Sequence, residues 1–495
     1  MPDNATEQMT DNTPKPRIKY VCISDMHLGS KESILTCIDP DTGEPSNSDV
    51  LVNLVECLRN LIDSVNGKNA KKPTLILMGD ILDMALSTTE ISSACFEGFI
   101  ELIMPQSSNK KSQMFKDIIY IPGNHDHVLW DMARNTQYVD YIANHPQNNL
   151  PRQWHTTCLF EEEGERAYVK AYFLQSLINR VSGRNGGYLK YFNIKIAYPN
   201  LGLKNTSKYV VVTHGHYVER IYHLMSILYR MIFPGRKEPK EIWEIEQENF
   251  NWINFFWSYI GDTGEIARGI ELIYDKLQSK PQVYLLVANL LFSIALEIFP
   301  KFKFLEGFLK WVTVKFIKFL NKHVKGTERS ITDECLTDET KKGLAEYIEG
   351  PLLKQIKSEI CFNHPPKGFT FIFGHTHKPF SAEMSFDCKP NIYNIYNTGG
   401  WVVETTEVAP LHGGSVLLLD NDLSPAHIRM YNETKDDKGK CRITVETASP
   451  CLNKFAKSIE TAVNDAASPW KDFLDSVAKT VKERRKKRKE RVKAN

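Results

Sequence analysis

Five short apolar runs in this chain are each followed directly by Asp, Asn or His residues. Runs of this length, rich in Val, Ile and Phe, are typical of buried strands. The polar residues that follow them are Asp25 and His27, Asp80 and Asp83, Asn124 to Asp126, His214 and His216, and His375 and His377. If the five strand ends meet at one edge of a sheet, their carboxylate, amide and imidazole groups form a cluster that suits divalent metal ions. The sequence therefore predicts a metal site.

The run Tyr120 to Asp126 shows most clearly why these positions favour chemistry. A predicted buried strand ends at Pro122-Gly123, because Pro fixes φ and Gly adopts φ values that other residues avoid. Three polar side chains then follow where the chain leaves the sheet, which is the usual place for functional residues in α/β folds.

In order along the chain, the motifs are Asp-x-His, Gly-Asp-x-x-Asp, Gly-Asn-His-Asp, His and Gly-His-x-His. This ordered set resembles the calcineurin-like metallophosphoesterase superfamily over roughly residues 17–130, 192–216 and 368–435. Ser24 to Gly29 and Asn397 to Trp401 are most similar to the UDP-2,3-diacylglucosamine pyrophosphatase-like phosphoesterases. The Asp-x-His-Leu-Gly start is also similar to the repair nucleases of the superfamily. The resemblance implies an α/β fold, a four-layer sandwich of two sheets flanked by helices.

The same resemblance implies a pair of divalent cations and a ligand for each motif. Asp80 is expected to bridge the two ions. The remaining expected ligands are Asp25, His27 and His377 for the first ion, and Asn124, His214 and His375 for the second. Mixed carboxylate, amide and imidazole ligation favours Mn, with Fe, Zn or Co as alternatives.

The expected reaction is hydrolysis of a phosphoester or pyrophosphate bond by a metal-bridging hydroxide. By resemblance, His125 donates to the leaving oxygen and Asp83 orients it, whereas Asp126 is predicted to cap the turn. In an extended chain His214 and His216 face the same side. The resemblance assigns the metal to His214, and we expect His216 to be a neighbouring, substrate-facing residue.

The chain divides into five predicted parts. They are a disordered tail (1–16), the first part of the core (17–217), an inserted helical cap (218–366), the second part of the core (367–435), and a helical C-terminal extension with a basic tail (436–495). Helical spacing of apolar residues from Val50 to Val65 predicts a crossover helix between the first two strands. In the second part of the core, Val402 to Thr405 is predicted to form a strand.

The insertion contains two unusual segments. Gln282 to Phe299 is almost entirely apolar, and its length is close to the lower limit for a membrane span of about 17 residues. Its polar residues and flanking prolines favour a buried helix over an interfacial or spanning one. Lys301 to Lys325 combines helical apolar spacing with seven lysines, which fits either a solvated lid helix or a helix on an anionic membrane surface. The basic run Lys482 to Lys493 favours a solvated tail over attraction to nucleic acid or membrane.

Bulk composition limits the partners and the compartment. Lys and Arg total 62 against 60 for Asp and Glu, so overall charge indicates neither a nucleic-acid nor a membrane partner. The 10 cysteines include no Cys-x-x-Cys pair, which suits a reducing compartment. No apolar segment follows Met1, and we therefore expect a cytoplasmic protein, with peripheral membrane contact through the insertion as an open option.

The leading hypothesis is a metal-dependent phosphohydrolase that acts on a phosphorylated small molecule or lipid, including nucleotide-linked substrates. One alternative is a metal-dependent nuclease, which the Asp-x-His-Leu-Gly start and the basic end would fit. Another is a membrane-associated interaction protein whose metal site is structural.

Overall fold

The computed structural model describes most of the chain and contains two large β-sheets. The described residues are 16–39, 41–104, 113–147, 149–160, 168–184, 192–262, 334–360, 368–386, 391–432, 441–464 and 466–494.

The larger sheet has eight strands in the order β15-β14-β13-β1-β4-β5-β7-β6. Its members are β1 (Ile18–Ile23), β4 (Thr74–Leu77), β5 (Ile118–Tyr120), β6 (Val169–Lys170), β7 (Ile194–Ile196), β13 (Gly413–Asp420), β14 (Pro425–Asn432) and β15 (Thr444–Glu446). Strands β1, β4, β5 and β7 run parallel to one another. The antiparallel pairing of β1 with β13 attaches the second part of the core to the first.

The smaller sheet has five strands in the order β11-β12-β10-β9-β8. They are β8 (Asn200–Lys204), β9 (Lys208–Thr213), β10 (Gly368–Phe373), β11 (Phe380–Met384) and β12 (Tyr393–Asn397). Strand β10 lies parallel to both β9 and β12. A short hairpin of β2 (Thr36–Ile38) and β3 (Pro45–Asn47) stands apart from both sheets.

Ten α-helices flank the sheets in the described part of the chain. They are α1 (Asp49–Asn66), α2 (Thr89–Ile103), α3 (Val128–Asn144), α4 (Tyr172–Arg184), α5 (Leu224–Ile232), α6 (Ile242–Trp257), α7 (Asp338–Tyr347), α8 (Leu353–Ile360), α9 (Lys454–Ala462) and α10 (Trp470–Ala494). The predicted crossover helix is confirmed as α1, which begins where the Ser48 side chain accepts a hydrogen bond from the Leu51 amide.

The two sheets pack face to face, and helices cover both outer faces. Alternate side chains of each strand divide between the layers. Cys22 of β1 and Val212 of β9 point into the apolar layer between the sheets. Val21 points to the helical side of the larger sheet, and Val211 points to the helical side of the smaller one. This arrangement confirms the predicted four-layer α/β sandwich.

The described helices of the insertion form the outer layer on the smaller sheet. Ile245 and Ile253 of α6 and Leu344 of α7 are buried in the same apolar cluster as Phe371 of β10. The predicted segments Gln282 to Phe299 and Lys301 to Lys325 lie outside the described residues. Among the helices that are described, none combines the length and the apolar character needed to cross a membrane.

One local expectation was wrong. Val402 to Thr405 was predicted as a strand, but only Val402 forms an isolated bridge, with Ser33. The basic end continues α10, in line with the predicted helical extension, and its lysines such as Lys486 are exposed, but Arg488 is only 8% exposed. Its guanidinium lies 3.4 Å from the Glu32 carboxylate. Lysine and arginine stems cover apolar surface well, so a basic run can pack against a core that offers acidic partners.

Candidate metal centre

The predicted ligands come from two sheets. Strands β1, β4 and β5 are neighbours in the larger sheet, and β9 and β10 are neighbours in the smaller one. The expectation that a single sheet supplies all the ligands was therefore wrong. Because the sheets face each other, the carboxyl ends of these two strand sets still meet, and the side chains that follow them converge.

The turns that carry the ligands have unusual backbone geometry. Five ligand candidates have positive φ, namely Asp25 (50°), His27 (47°), Asp80 (50°), His375 (68°) and His377 (59°). Such conformations are uncommon outside glycine and concentrate at functional sites. Glycine permits the close approach: a Cβ on Gly374 would lie 2.2 Å from the Asp25 carboxylate.

One group of ligand atoms consists of Asp25, His27 and His377. The His377 Nε2 atom lies 3.3 Å from Asp25 Oδ1 and 3.3 Å from His27 Nε2. All three side chains are buried, and their ligand atoms lie within 4.8 Å of one another.

A second group consists of Asn124, His214 and His375. The His214 Nε2 atom lies 3.0 Å from Asn124 Oδ1 and 3.2 Å from His375 Nδ1. The other nitrogen of His214, Nδ1, donates a hydrogen bond to the Met78 carbonyl at 3.1 Å, which turns Nε2 toward the group.

Asp80 lies between the two groups. Its Oδ2 atom is 3.4 Å from His214 Nε2 and 3.9 Å from His27 Nε2. Its other oxygen, Oδ1, accepts a hydrogen bond of 2.7 Å from the His125 amide. A carboxylate in this position can reach both groups at once.

Charges within the cluster offset the cost of burial. Burial has the largest effect and raises the pKa of a carboxyl, but His214, His125 and His27 together hold the pKa of Asp80 well below its usual range. Burial lowers the pKa of His214, yet Asp80 and Asp25 raise it to about 9. The site therefore keeps carboxylates ionised in the interior, which is the state that binds cations.

Asp83 contacts two histidines. Its Oδ1 atom lies 3.0 Å from His125 Nδ1, and its Oδ2 atom lies 3.0 Å from His27 Nδ1. The rings of His27 and His125 are 4.8 Å apart and meet edge to face. One carboxylate therefore orients both a ligand candidate and the candidate acid.

His216 is buried next to His214. Its Nε2 atom lies 3.4 Å from the Tyr198 hydroxyl, and its ring centroid is 5.6 Å from that of His214. Burial holds the pKa of His216 well below its usual range, so the ring is neutral. Nδ1 has no hydrogen-bond partner in the described part of the chain. The substrate-facing role of His216 stays a prediction.

Asp126 caps the turn, as predicted. Its carboxylate accepts hydrogen bonds from the amides of Ile81 at 2.9 Å and Gly123 at 2.6 Å, and from the Tyr120 hydroxyl. These bonds join the ends of β4 and β5.

Two carboxylates at the site were missed from the sequence. Glu404 Oε2 lies 2.9 Å from His377 Nδ1, and Glu219 Oε1 lies 3.4 Å from His375 Nε2. Neither belongs to a motif. Glu404 lies in the segment that was wrongly predicted as a strand, and Glu219 is separated from His375 by the insertion.

The donor set fits a pair of divalent cations. Two carboxylates, one amide and four imidazoles converge, and each is at most 2% exposed. The Asn124 Nδ2 atom is buried without a hydrogen-bond partner among the described residues, whereas Oδ1 faces the cluster. Hard oxygen and imidazole donors in this mixture suit Mn, Fe, Zn or Co.

The family comparison agrees with this chemistry. The family model of calcineurin-like phosphoesterases matches residues 18–258, which include all the motifs except Gly-His-Thr-His. No curated protein matches the chain. The crystal structure of a dimetal phosphatase from Danio rerio is similar at 12% identity with a TM-score of 0.32, covering 88% of this chain and 100% of its own. That likeness is too distant to support an argument. The family match over residues 18–258 and the converged site together support a metal-dependent phosphoester hydrolase similar to the calcineurin-like phosphoesterases.

Proposed function

We propose that this hydrolase uses two divalent cations, with Mn preferred, to cleave a pyrophosphate or phosphoester bond in a nucleotide- or lipid-linked substrate. The requirement for two cations is supported by the position of Asp80 Oδ2, which lies within 3.9 Å of ligand nitrogens from both groups. Asp25, His27 and His377 would hold one cation. Asn124, His214 and His375 would hold the other. Such a pair, when bound, supplies Lewis-acid stabilisation of the phosphoryl oxygens and activates water.

The proposed acid is His125. Its Nδ1 atom is engaged by Asp83 at 3.0 Å, so Nε2 is the atom that would donate a proton to the leaving oxygen. Asp83 stays ionised because, although burial is the largest effect and raises its pKa, hydrogen bonds and charge from His125 and His27 hold that pKa far below its usual range.

Two observations support an amphiphilic substrate. One is the similarity of Ser24 to Gly29 and Asn397 to Trp401 to UDP-2,3-diacylglucosamine pyrophosphatase-like phosphoesterases. The other is a groove of about 810 Å³ between α5 and α6, in which Leu228 and Ile232 lie near Arg152. Apolar walls suit an acyl chain, and the groove is also lined by both basic and acidic side chains, among them Arg236 and Glu248. We further propose that the protein works in the cytoplasm, peripherally on a membrane, with His216 facing the substrate.

The nuclease hypothesis receives less support. The nuclease hypothesis was based partly on the basic C-terminal run. In the structure, however, Arg484 donates to the Thr36 carbonyl, and Arg488 and Arg491 pair with Glu32. These arginines are turned toward the core. Cleavage of nucleic acid is therefore an alternative outcome of the substrate panel described below.

A substrate panel on the Mn-loaded protein tests the proposal, with Asp80→Asn as the inactive control. We expect the fastest hydrolysis with a detergent-dispersed nucleotide diphosphate lipid, and slower hydrolysis of water-soluble nucleotide pyrophosphates, p-nitrophenyl phosphate and single-stranded DNA. Equal rates on soluble and lipid-linked pyrophosphates, without binding to anionic vesicles, would overturn the lipid part. Salt-sensitive DNA cleavage as the fastest reaction would favour the nuclease. No hydrolysis with any divalent metal would favour a structural metal site.

A further inference from the structure

Glu404 fixes the orientation of His377. The His377 Nδ1–H group donates to Glu404 Oε2 at 2.9 Å, and the opposite nitrogen, Nε2, faces Asp25 and His27. The segment that carries Glu404 is attached by its backbone to the loop after β1. The Trp401 amide donates to the Asp25 carbonyl at 3.0 Å. Glu404 itself is only 13% exposed.

Glu219 lies on the corresponding side of His375, in an ion-pair contact instead of a hydrogen bond. The His375 Nδ1 atom faces His214, and Nε2 lies 3.4 Å from Glu219 Oε1. Glu219 is 7% exposed and lies between two short 3₁₀ turns, His216–Val218 and Arg220–His223, at the start of the insertion. Helix α7 packs directly on the first turn, since a Cβ on Gly343 would lie 2.0 Å from the Val218 carbonyl oxygen.

With these two glutamates, each of the four imidazoles of the cluster has an oxygen atom on the side away from the other ligands. The oxygen is hydrogen-bonded for His27, His214 and His377, and it lies at ion-pair distance for His375. The oxygen atom beside the outer nitrogen of His27 belongs to Asp83, and the one beside that of His214 is the Met78 carbonyl oxygen. An acceptor in this position selects the imidazole tautomer, holds the ring plane and raises the basicity of the ligating nitrogen. The loss of such a partner typically weakens metal binding about 10- to 100-fold.

We propose that Glu404 and Glu219 are positioning residues of the metal centre, one for each cation position, and that they set the strength of divalent metal binding. This inference rests on the proposed two-cation function. It makes the insertion a contributor to the metal centre, because Glu219 lies at its first turns.

The test is Mn²⁺ binding to the metal-free protein, measured by competition with a chromophoric chelator, for Glu404→Gln and Glu219→Gln. Matched controls are Glu407→Gln, from the same loop as Glu404, and Glu346→Gln, beside the turn that follows Glu219; both are exposed. We expect each test variant to weaken one of two binding steps about 10- to 100-fold. The controls should match the unaltered protein, and the thermal midpoints of all metal-free proteins should agree.

Dissociation constants for both test variants within about twofold of the unaltered protein would overturn the inference, given that the loss of such a partner costs about tenfold or more. Failure of the unaltered protein to bind two Mn²⁺ ions would instead contradict the proposed function. If a glutamine variant does not fold, Glu404→Asp and Glu219→Asp take the same test. Their shorter side chains withdraw the carboxylate from the imidazole, so the same weakening is expected and its absence has the same meaning.

Discussion

At the scale of single residues, the site separates groups that hold metal from a group that acts on the substrate. His125 is bonded through its backbone to Asp80 and through Nδ1 to Asp83, but it belongs to neither ligand set. His125→Ala should therefore leave two bound metal ions and lower turnover at least about a hundredfold, the usual size of an acid–base effect. Elemental analysis and initial rates on the same preparation check this. An unchanged rate in the fully metal-loaded variant would exclude His125 as the acid.

Asp83 should behave differently from His125 because it also contacts His27. Asp83→Asn removes the charge behind both imidazoles, so we expect slower turnover together with metal binding weakened about 10- to 100-fold. The measurement is Mn²⁺ titration of the metal-free variant next to the rate at saturating metal. Metal affinity equal to that of the unaltered protein would mean that the contact with His27 has no role in binding.

At the scale of elements, a buried histidine on β14 makes one inter-strand connection sensitive to pH. The Ser415 hydroxyl donates to the Thr398 carbonyl, so it accepts from His427 Nε2–H, and His427 Nδ1 accepts from Ser381. Burial, with a smaller effect from Arg429, lowers the pKa of His427 to about 3. The folded pKa lies below that of the unfolded chain, so stability is complete above pH 6.5 and falls as pH drops from 6.5 toward 3.

The predicted loss is about 2 kcal/mol between pH 6.5 and about 5 from this residue alone. Urea unfolding of the unaltered protein and of His427→Gln across this range measures it, since glutamine keeps polar contacts but does not titrate. The free energy of unfolding of the variant should fall less steeply. Parallel pH profiles would show that His427 is not the source of the dependence.

The C-terminal helix provides a second test at this scale. Glu32, 14% exposed, pairs with Arg488 and Arg491 of α10. Glu32→Ala removes a carboxylate that pairs with the largely buried Arg488, and we expect a loss of about 1 to 3 kcal/mol in the free energy of unfolding. Glu483→Ala, an exposed change on the same helix, should cost less than about 0.5 kcal/mol. Equal effects would mean that the pairing adds nothing to the docking of α10.

The elements differ in how far the sequence predicts them. Strands such as Lys208–Thr213 and the helix Asp49–Asn66 follow from local apolar patterns, which persist in the fold. The partition of the strands between two sheets does not follow from local patterns, because it depends on pairing between strands that are distant in sequence. Glu219 and Glu404 were missed for the same reason: each acts on a histidine distant in sequence. The path of the basic run along α10 depends on Glu32, which no local pattern identifies.

At the scale of the whole molecule, the metal centre joins parts of the chain from Asp25 to His377, and every ligand side chain is at most 2% exposed. Cations bound there would link both sheets. Binding to the folded state alone stabilises it by about 2.7 kcal/mol at a free metal concentration 100 times the dissociation constant. We therefore expect Mn²⁺ to raise the thermal midpoint by several degrees relative to chelator-treated protein. His125→Ala should show the same rise, and Asp80→Asn should show little.

The central claim is that two cations flank Asp80, and anomalous X-ray scattering from crystals grown with Mn²⁺ tests it most directly. We predict two peaks about 3.5 to 4 Å apart, one beside Asp25, His27 and His377 and the other beside Asn124, His214 and His375, with the Asp80 carboxylate in contact with both. A single peak, or peaks remote from Asp80, would contradict the account.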